Sequence, residues 1–99
     1  MDKKYKLLVV CGTGMGSSIM LKVQVERVVK EGGLPFYISS DVMSSAKGSD
    51  ADLFVCMADL VDILKPIGKP VLGIKNIVSR SEISIGLLRE LEELNSKQN

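Results

Sequence analysis

No histidine occurs anywhere in the 99 residues, and no tryptophan. The first absence removes both the commonest metal ligand and the commonest general base. Aromatic side chains are scarce as well, limited to Tyr5, Phe36, Tyr37 and Phe54, so a base-stacking surface lacks material. Lysine and arginine number 13 and aspartate and glutamate 12, a net charge of +1 without a basic block. Nucleic acid is therefore not an expected partner. The two cysteines, Cys11 and Cys56, lie far apart and form no C-x-x-C pair. Neither a zinc site nor a disulfide scaffold is indicated, and a reducing compartment fits. No metal and no cofactor is expected. No apolar run approaches the roughly 20 residues that a spanning helix needs. Lys3, Lys4 and the apolar run up to Cys11 faintly imitate a lipoprotein leader, but the run is too short and Val10 is not the small residue such cleavage requires. The expected location is cytoplasmic, with any membrane contact made through a partner and not by direct insertion.

What the chain does contain is organised around Val10-Cys11-Gly12-Thr13-Gly14-Met15-Gly16-Ser17-Ser18. The apolar run Leu7-Leu8-Val9-Val10 leads into a cysteine, then a loop with glycine at every second position, two serines and a helical pattern. This places Cys11 at the carboxyl end of a buried strand, with the loop wrapped around its sulfur and the next helix directing its N-terminus at the same spot. Amide N–H groups of such a loop and the positive end of a helix favour an anion there. They also favour thiolate over thiol. No acidic side chain lies between Val10 and Val25 to oppose either. The stretch suits a nucleophilic sulfur that carries a doubly charged phosphate for part of its cycle.

Strands and helices alternate along the chain, which is short enough to form one domain, 1–99. Residues 5–10 read as a strand buried on both faces. Residues 17–30 read as a helix capped by Ser17 or Ser18 and ended by Gly32-Gly33, with Leu21, Val25, Val28 and Val29 on its core face. A short peripheral strand is expected over 35–39, a weak helical turn at Val42-Met43, and a strand through Leu53-Phe54-Val55-Cys56-Met57. Asp59 is expected to cap a short helix that Pro66 stops. A fourth strand covers 70–74. Ser79-Arg80-Ser81-Glu82 has the form of a capping box before a last helix that buries Ile83, Leu87, Leu91 and Leu94. The expected fold is α/β: a four-stranded, parallel, open sheet of order 2-1-3-4 with helices on both faces, Rossmann- or flavodoxin-like, with a phosphatase-like cysteine loop. Cys11 then lies at the crevice beyond the carboxyl ends of the strands.

Several competing readings of the motif fail on its spacing. Gly12-x-Gly14-x-Gly16 is not the dinucleotide fingerprint, because Ser17 follows, and no Gly-Lys-Ser/Thr closes it as a P-loop. A tyrosine-phosphatase loop has an arginine where Ser17 stands. Without that fork a phosphate is held by amides and hydroxyls alone, which suits a group taken up and handed on and not hydrolysed. Cys11 as a small buried hydrophobe at a strand end is the plain alternative.

The run Cys11 to Val23 (Cys-Gly-Thr-Gly-Met-Gly-Ser-Ser-Ile-Met-Leu-Lys-Val) resembles the phosphocysteine loop and first helix of the B components (EIIB) of the sugar phosphotransferase system. The similarity is strongest to the ascorbate-type branch and looser to the lactose, cellobiose and galactitol types. Val71-Leu72-Gly73-Ile74-Lys75-Asn76-Ile77-Val78-Ser79 resembles the family's last strand and the loop into its last helix, and Ser49-Asp50-Ala51-Asp52-Leu53 sits at its entry to strand three. Met15 stands where the ascorbate-type pattern often has a polar residue. The resemblance spans essentially the whole chain and implies a phosphotransferase relay. A phospho-histidine of the EIIA component donates to Cys11. The phosphocysteine then phosphorylates a sugar, of ascorbate-like type, bound by the membrane EIIC component during uptake. Gly12, Thr13, Gly14, Met15, Gly16 and Ser17 are the implied phosphate-binding residues, with the hydroxyls of Thr13, Ser17 and Ser18 adding bonds. Two other classes stay open: a small cysteine-dependent phosphatase or thiol hydrolase, and a regulatory interaction domain.

Met15, Ile19, Met20 and Val23 form a second apolar patch near the loop, either a docking surface for EIIA and EIIC or ordinary surface. Cys56 reads as a buried core residue, with proximity to Cys11 as the alternative. Asp50 and Asp52 read as solvated turn residues, and Arg89, Glu90, Glu92 and Glu93 as the wet face of the last helix.

Overall fold

A computed structural model describes residues 4–11, 17–42 and 48–98. Four strands, β1 (Tyr5–Cys11), β2 (Phe36–Val42), β3 (Leu53–Met57) and β4 (Val71–Ile74), form one sheet in the order β2-β1-β3-β4. Every pairing is parallel: Tyr5 with Phe36 through Cys11 with Val42, Leu7 with Leu53 through Val9 with Val55, and Phe54 with Val71 through Met57 with Ile74. The helices among the described residues are α1 (Ser17–Gly32), α2 (Val61–Leu64, flanked by 3₁₀ turns at Ala58–Leu60 and Lys65–Ile67) and α3 (Arg80–Gln98).

The two central strands are apolar on both faces, and this divides the core into two layers. Tyr5, Leu7 and Val9 of β1 and Leu53 and Val55 of β3 pack with Leu21, Val25, Val28 and Val29 of α1 and Ile83, Leu87 and Leu94 of α3. The alternate residues Leu8, Val10, Phe54 and Cys56 pack on the other face with Leu64 of α2 and the partly buried Leu60, Val61 and Ile67. Helices thus cover both faces, as a parallel sheet requires. Leu91 is only partly buried, where α3 reaches the margin of the core.

Local signals placed most boundaries within a few residues. Gly33 ends α1 at φ +61°, the left-handed conformation that glycine adopts without strain. Three expectations change. β2 runs to Val42, beyond 35–39, because β1 offers ladder partners all the way to Cys11 and the edge lets Ser39, Ser40 and Asp41 face water. That extension makes Val42 a strand residue and not part of a helical turn; Met43 lies outside the described residues. Asp59 does not cap α2: it lies inside the preceding 3₁₀ turn, and neither Met57 nor Leu60 makes a side-chain cap bond. α2 does end at Leu64, ahead of Pro66, which sits in the following 3₁₀ turn that closes at Gly68 with φ +83°.

The capping box before α3 forms by half. Ser79 Oγ accepts from the Glu82 amide at 3.3 Å. The Glu82 carboxylate turns instead to the amides just after β4, accepting from Lys75 N–H at 2.7 Å and Asn76 N–H at 2.9 Å. The Ser79 amide that it leaves donates to Asn76 O at 3.0 Å.

Candidate functional site

In a doubly wound sheet, ligands bind outside the carboxyl ends of the strands where successive connections diverge to opposite sides. Here the connection from β1 leads to β2 on one side, and the chain then returns to place β3 on the other. The divergence point is therefore the carboxyl end of β1, and the last residue of β1 is Cys11. Its backbone is held in register with Val42 of β2. Six positions later α1 begins at Ser17, and no acidic residue stands in its first turn. The predicted phosphate-binding residues Gly12, Thr13, Gly14, Met15 and Gly16 lie outside the described residues, as do the side chains of Cys11, Ser17, Ser18 and Ile19.

The other three strands deliver their own residues to the same rim. Asp41 of β2 pairs with Val10. β3 ends at Met57 and is followed by Ala58 and the exposed Asp59. β4 ends at Ile74 and is followed by the exposed Lys75 and Asn76. Sequence reasoning did not put Asp41 here, since it ended β2 before that position. The signal that could have found it is the length of the β1 apolar run, which sets how far a parallel neighbour can pair.

Of the four predicted docking residues, Met20 and Val23 are solvent-exposed at 51% and 42%. The side chains of Met15 and Ile19 lie outside the described residues. Asp50 and Asp52 are at the opposite, amino-terminal end of the sheet, where Asp50 pairs with Lys6 Nζ at 2.6 Å and Asp52 accepts from the Lys6 amide at 2.9 Å. These are turn-fixing roles remote from Cys11.

Cys56 is fully buried on the α2 face, among Leu8, Val10, Phe54 and Leu64. Burial, with Asp59 adding like charge, pushes its thiol up to about 11. A sulfur in that environment stays protonated and unreactive at neutral pH. Among the described residues no three histidine, cysteine, aspartate or glutamate side chains converge as metal ligands, and no helix is long and apolar enough to cross a membrane.

A sequence model of the family described as "PTS system, Lactose/Cellobiose specific IIB subunit" matches residues 6–84. The chain belongs to this family. It is thus a IIB component of the sugar phosphotransferase system, a phosphotransferase subunit. Two similar proteins are named ascorbate-specific PTS system EIIB component. The one from Mycoplasma pneumoniae is 29% identical over 93 residues, covering 91% of this chain and 98% of that protein. The one from Shigella dysenteriae is 26% identical over 91 residues, covering 89% and 90%. Among solved structures, the lactose-specific IIB component domain from Streptococcus pneumoniae superposes with a TM-score of 0.65 at 15% identity, over 88% of this chain and 97% of that one. At that identity the likeness establishes the fold, and the IIB architecture agrees with the sheet order found here.

Proposed function

We propose that this IIB domain is a phosphoryl carrier whose covalent site is Cys11. The observation that carries the reading is the position of Cys11 as the last residue of β1, at the divergence point of the sheet and just ahead of α1. The other cysteine offers no alternative, since Cys56 is buried and its thiol is held protonated.

In the first step the Cys11 thiolate attacks the phosphorus of a phospho-imidazole on the EIIA component. The S–P bond forms as the N–P bond breaks, and the imidazole keeps the electron pair. In the second, a hydroxyl of the sugar held by EIIC attacks the same phosphorus. The O–P bond forms, the S–P bond breaks, the thiolate is regenerated and the hydroxyl proton passes to solvent or a base on EIIC. Transfers of this kind are driven by positioning and charge stabilisation. Amides of Gly12 to Ser17 and the hydroxyls of Thr13, Ser17 and Ser18 are the proposed donors to the phosphoryl oxygens. The chain enters this stretch from β1 and leaves it into a 16-residue helix, whose positive end favours a dianion. Met20 and Val23, exposed on the early turns of α1, are proposed with Met15 and Ile19 as apolar contacts for the partners. The names of the relatives support an ascorbate-like sugar acid as substrate, and the proposed site of action is the cytoplasmic face of the membrane, beside EIIC.

The test is intact-mass analysis after incubation with phosphoenolpyruvate, the general phosphotransfer proteins and a cognate EIIA. One added phosphate mapping to Cys11 is expected, with none on Cys11→Ser at an unchanged circular dichroism spectrum. A phosphate mapping elsewhere, or undiminished on Cys11→Ser, overturns the assignment.

A further inference from the structure

The Cys11 loop lacks the arginine that a phosphatase loop uses to clamp its anion, since Ser17 stands there. The rim around Cys11 also carries carboxylates. Asp41 lies on β2 opposite Val10, Asp59 follows β3, and Glu82 lies beside the residues that leave β4. Among the described residues within two positions of a strand's carboxyl end (Ala58, Asp59, Lys75 and Asn76), the one cation is Lys75.

The register fixes where Lys75 stands. Val9 pairs with Val55, so Met57 lies level with Cys11, and Ile74 pairs with Met57. Lys75 is the next residue. Its backbone is two strand spacings from that of Cys11, about 10 Å. That separation is comparable to the Debye length at physiological salt, so a charge there is still felt. Both oxygens of Glu82 are engaged by the amides of Lys75 and Asn76. Asn76 Oδ1 in turn accepts from the Val78 amide at 3.1 Å, and Ser79 Oγ from the Glu82 amide. The exposed segment is therefore tied to the first turn of α3, while no carboxylate of the described residues lies within ion-pair distance of the Lys75 ammonium. The cation is anchored at its backbone, free at its tip, and carried on a four-carbon stem.

We propose that Lys75, tethered by the Glu82 carboxylate at the carboxyl end of β4, is the electrostatic positioning residue for the phosphoryl group that Cys11 accepts and releases. It offsets the rim carboxylates and draws the dianion in without a bidentate grip, so the group leaves as readily as it arrives. This role rests on the phosphocysteine reading above. Lys22, in the second turn of α1, is a second cation of that neighbourhood, but its helix, not a strand end, sets its position.

The test measures the field at Cys11 without any partner protein. Cys11 of the full chain is alkylated with iodoacetate, an anion, and with iodoacetamide, its neutral counterpart, and the label is mapped by mass. The ratio of the two rates removes any effect on the reactivity of the sulfur itself. Lys75→Met is expected to lower that ratio about twofold at low salt, with the difference vanishing at high salt. Lys75→Arg is expected to keep the ratio. Lys30→Met, which removes the same charge from the last turn of α1, is expected to leave it unchanged. Donor-driven phosphorylation of Lys75→Met is expected to slow about three- to fourfold at low salt, since the phosphoryl carries twice the charge. An unchanged ratio in Lys75→Met, or an equal fall in Lys30→Met, overturns the proposal while wild-type phosphorylation of Cys11 keeps the carrier reading intact. A Cys11 that neither alkylates nor accepts phosphate overturns both.

Discussion

The two cysteines of the chain hold different positions in the same sheet. Cys56 is interior to β3 and wholly enclosed, while Cys11 ends β1 where the chain leaves the sheet. Native protein treated with iodoacetamide at neutral pH is expected to gain one label, on Cys11, and the second only after unfolding. Mass mapping checks it. The raised Cys56 thiol also has a stability consequence of definite sign. Its folded value of about 11 lies above the ordinary 9.0, so the unfolded chain releases this proton first. Stability from this group is intact below about pH 9 and falls between 9 and 11, by about 2–3 kcal/mol. Cys56→Ala is expected to flatten that alkaline limb, read by urea unfolding at pH 8 and pH 11. The burial of Cys56 was legible from the apolar run it belongs to. Which face it occupies was not, because a run buried on both sides carries no alternation to read.

At the scale of elements, close packing is concentrated where β4 meets its neighbours. A Cβ on Gly73 of β4 would stand 2.5 Å from Val61 Cγ2 and 3.1 Å from Ala58 Cα, the latter a backbone atom that cannot swing aside. A Cβ on Gly86 of α3 would stand 2.6 Å from Leu72 Cδ1, the movable tip of a side chain. Gly73→Ala is therefore expected to cost about 1–3 kcal/mol. Gly86→Ala is expected near neutral, because alanine gains about 1 kcal/mol in a helix interior and offsets the repacking of Leu72. Urea midpoints of the two variants measure the contrast. Glu82 supplies the element-scale pH dependence. The Lys75 and Asn76 amides hold its carboxyl below the ordinary carboxylate value, with the Lys75 charge a smaller cause. The stability it adds is present above the unfolded value near 4.5 and is lost as pH falls through the lower folded value. Glu82→Gln is expected to lower stability in the neutral region and leave the acid end little changed, so that part of the acid limb of a stability-against-pH curve disappears. From sequence, Ser79 and Glu82 spelled a capping box. The structure keeps the serine half and redirects the glutamate, because the Ser79 amide already donates to Asn76 O and the amides leaving β4 have no ladder partner.

Across the whole molecule, the order β2-β1-β3-β4 puts the two most apolar strands in the centre and leaves the polar end of β2 and the short β4 at the edges. Amide exchange is expected to be slowest in β1 and β3 and faster in β2 and β4, since central strands open only with the whole core. Hydrogen-exchange mass spectrometry resolves these segments. Exchange as fast in β1 as in β2 would show that the layers do not unfold as one.

The sequence alone determined the elements and their inward faces. Leu21, Val25, Val28 and Val29 recur at helical spacing, Ile83 and Leu87 do the same, and β1 and β3 are continuous apolar runs, all signals written within a dozen residues. The Cys11 motif, with its glycines and following serines, is likewise a short-range pattern. Tertiary structure decided what depends on pairing across long separations: the extension of β2 along β1, the face on which Cys56 is enclosed, and the turn of Glu82 toward β4. It also brought Asp41, Asp59 and Lys75, distant in the chain, to one rim with Cys11. Local periodicity fixes which way a residue faces, but only the ladder of a folded sheet fixes what stands beside it.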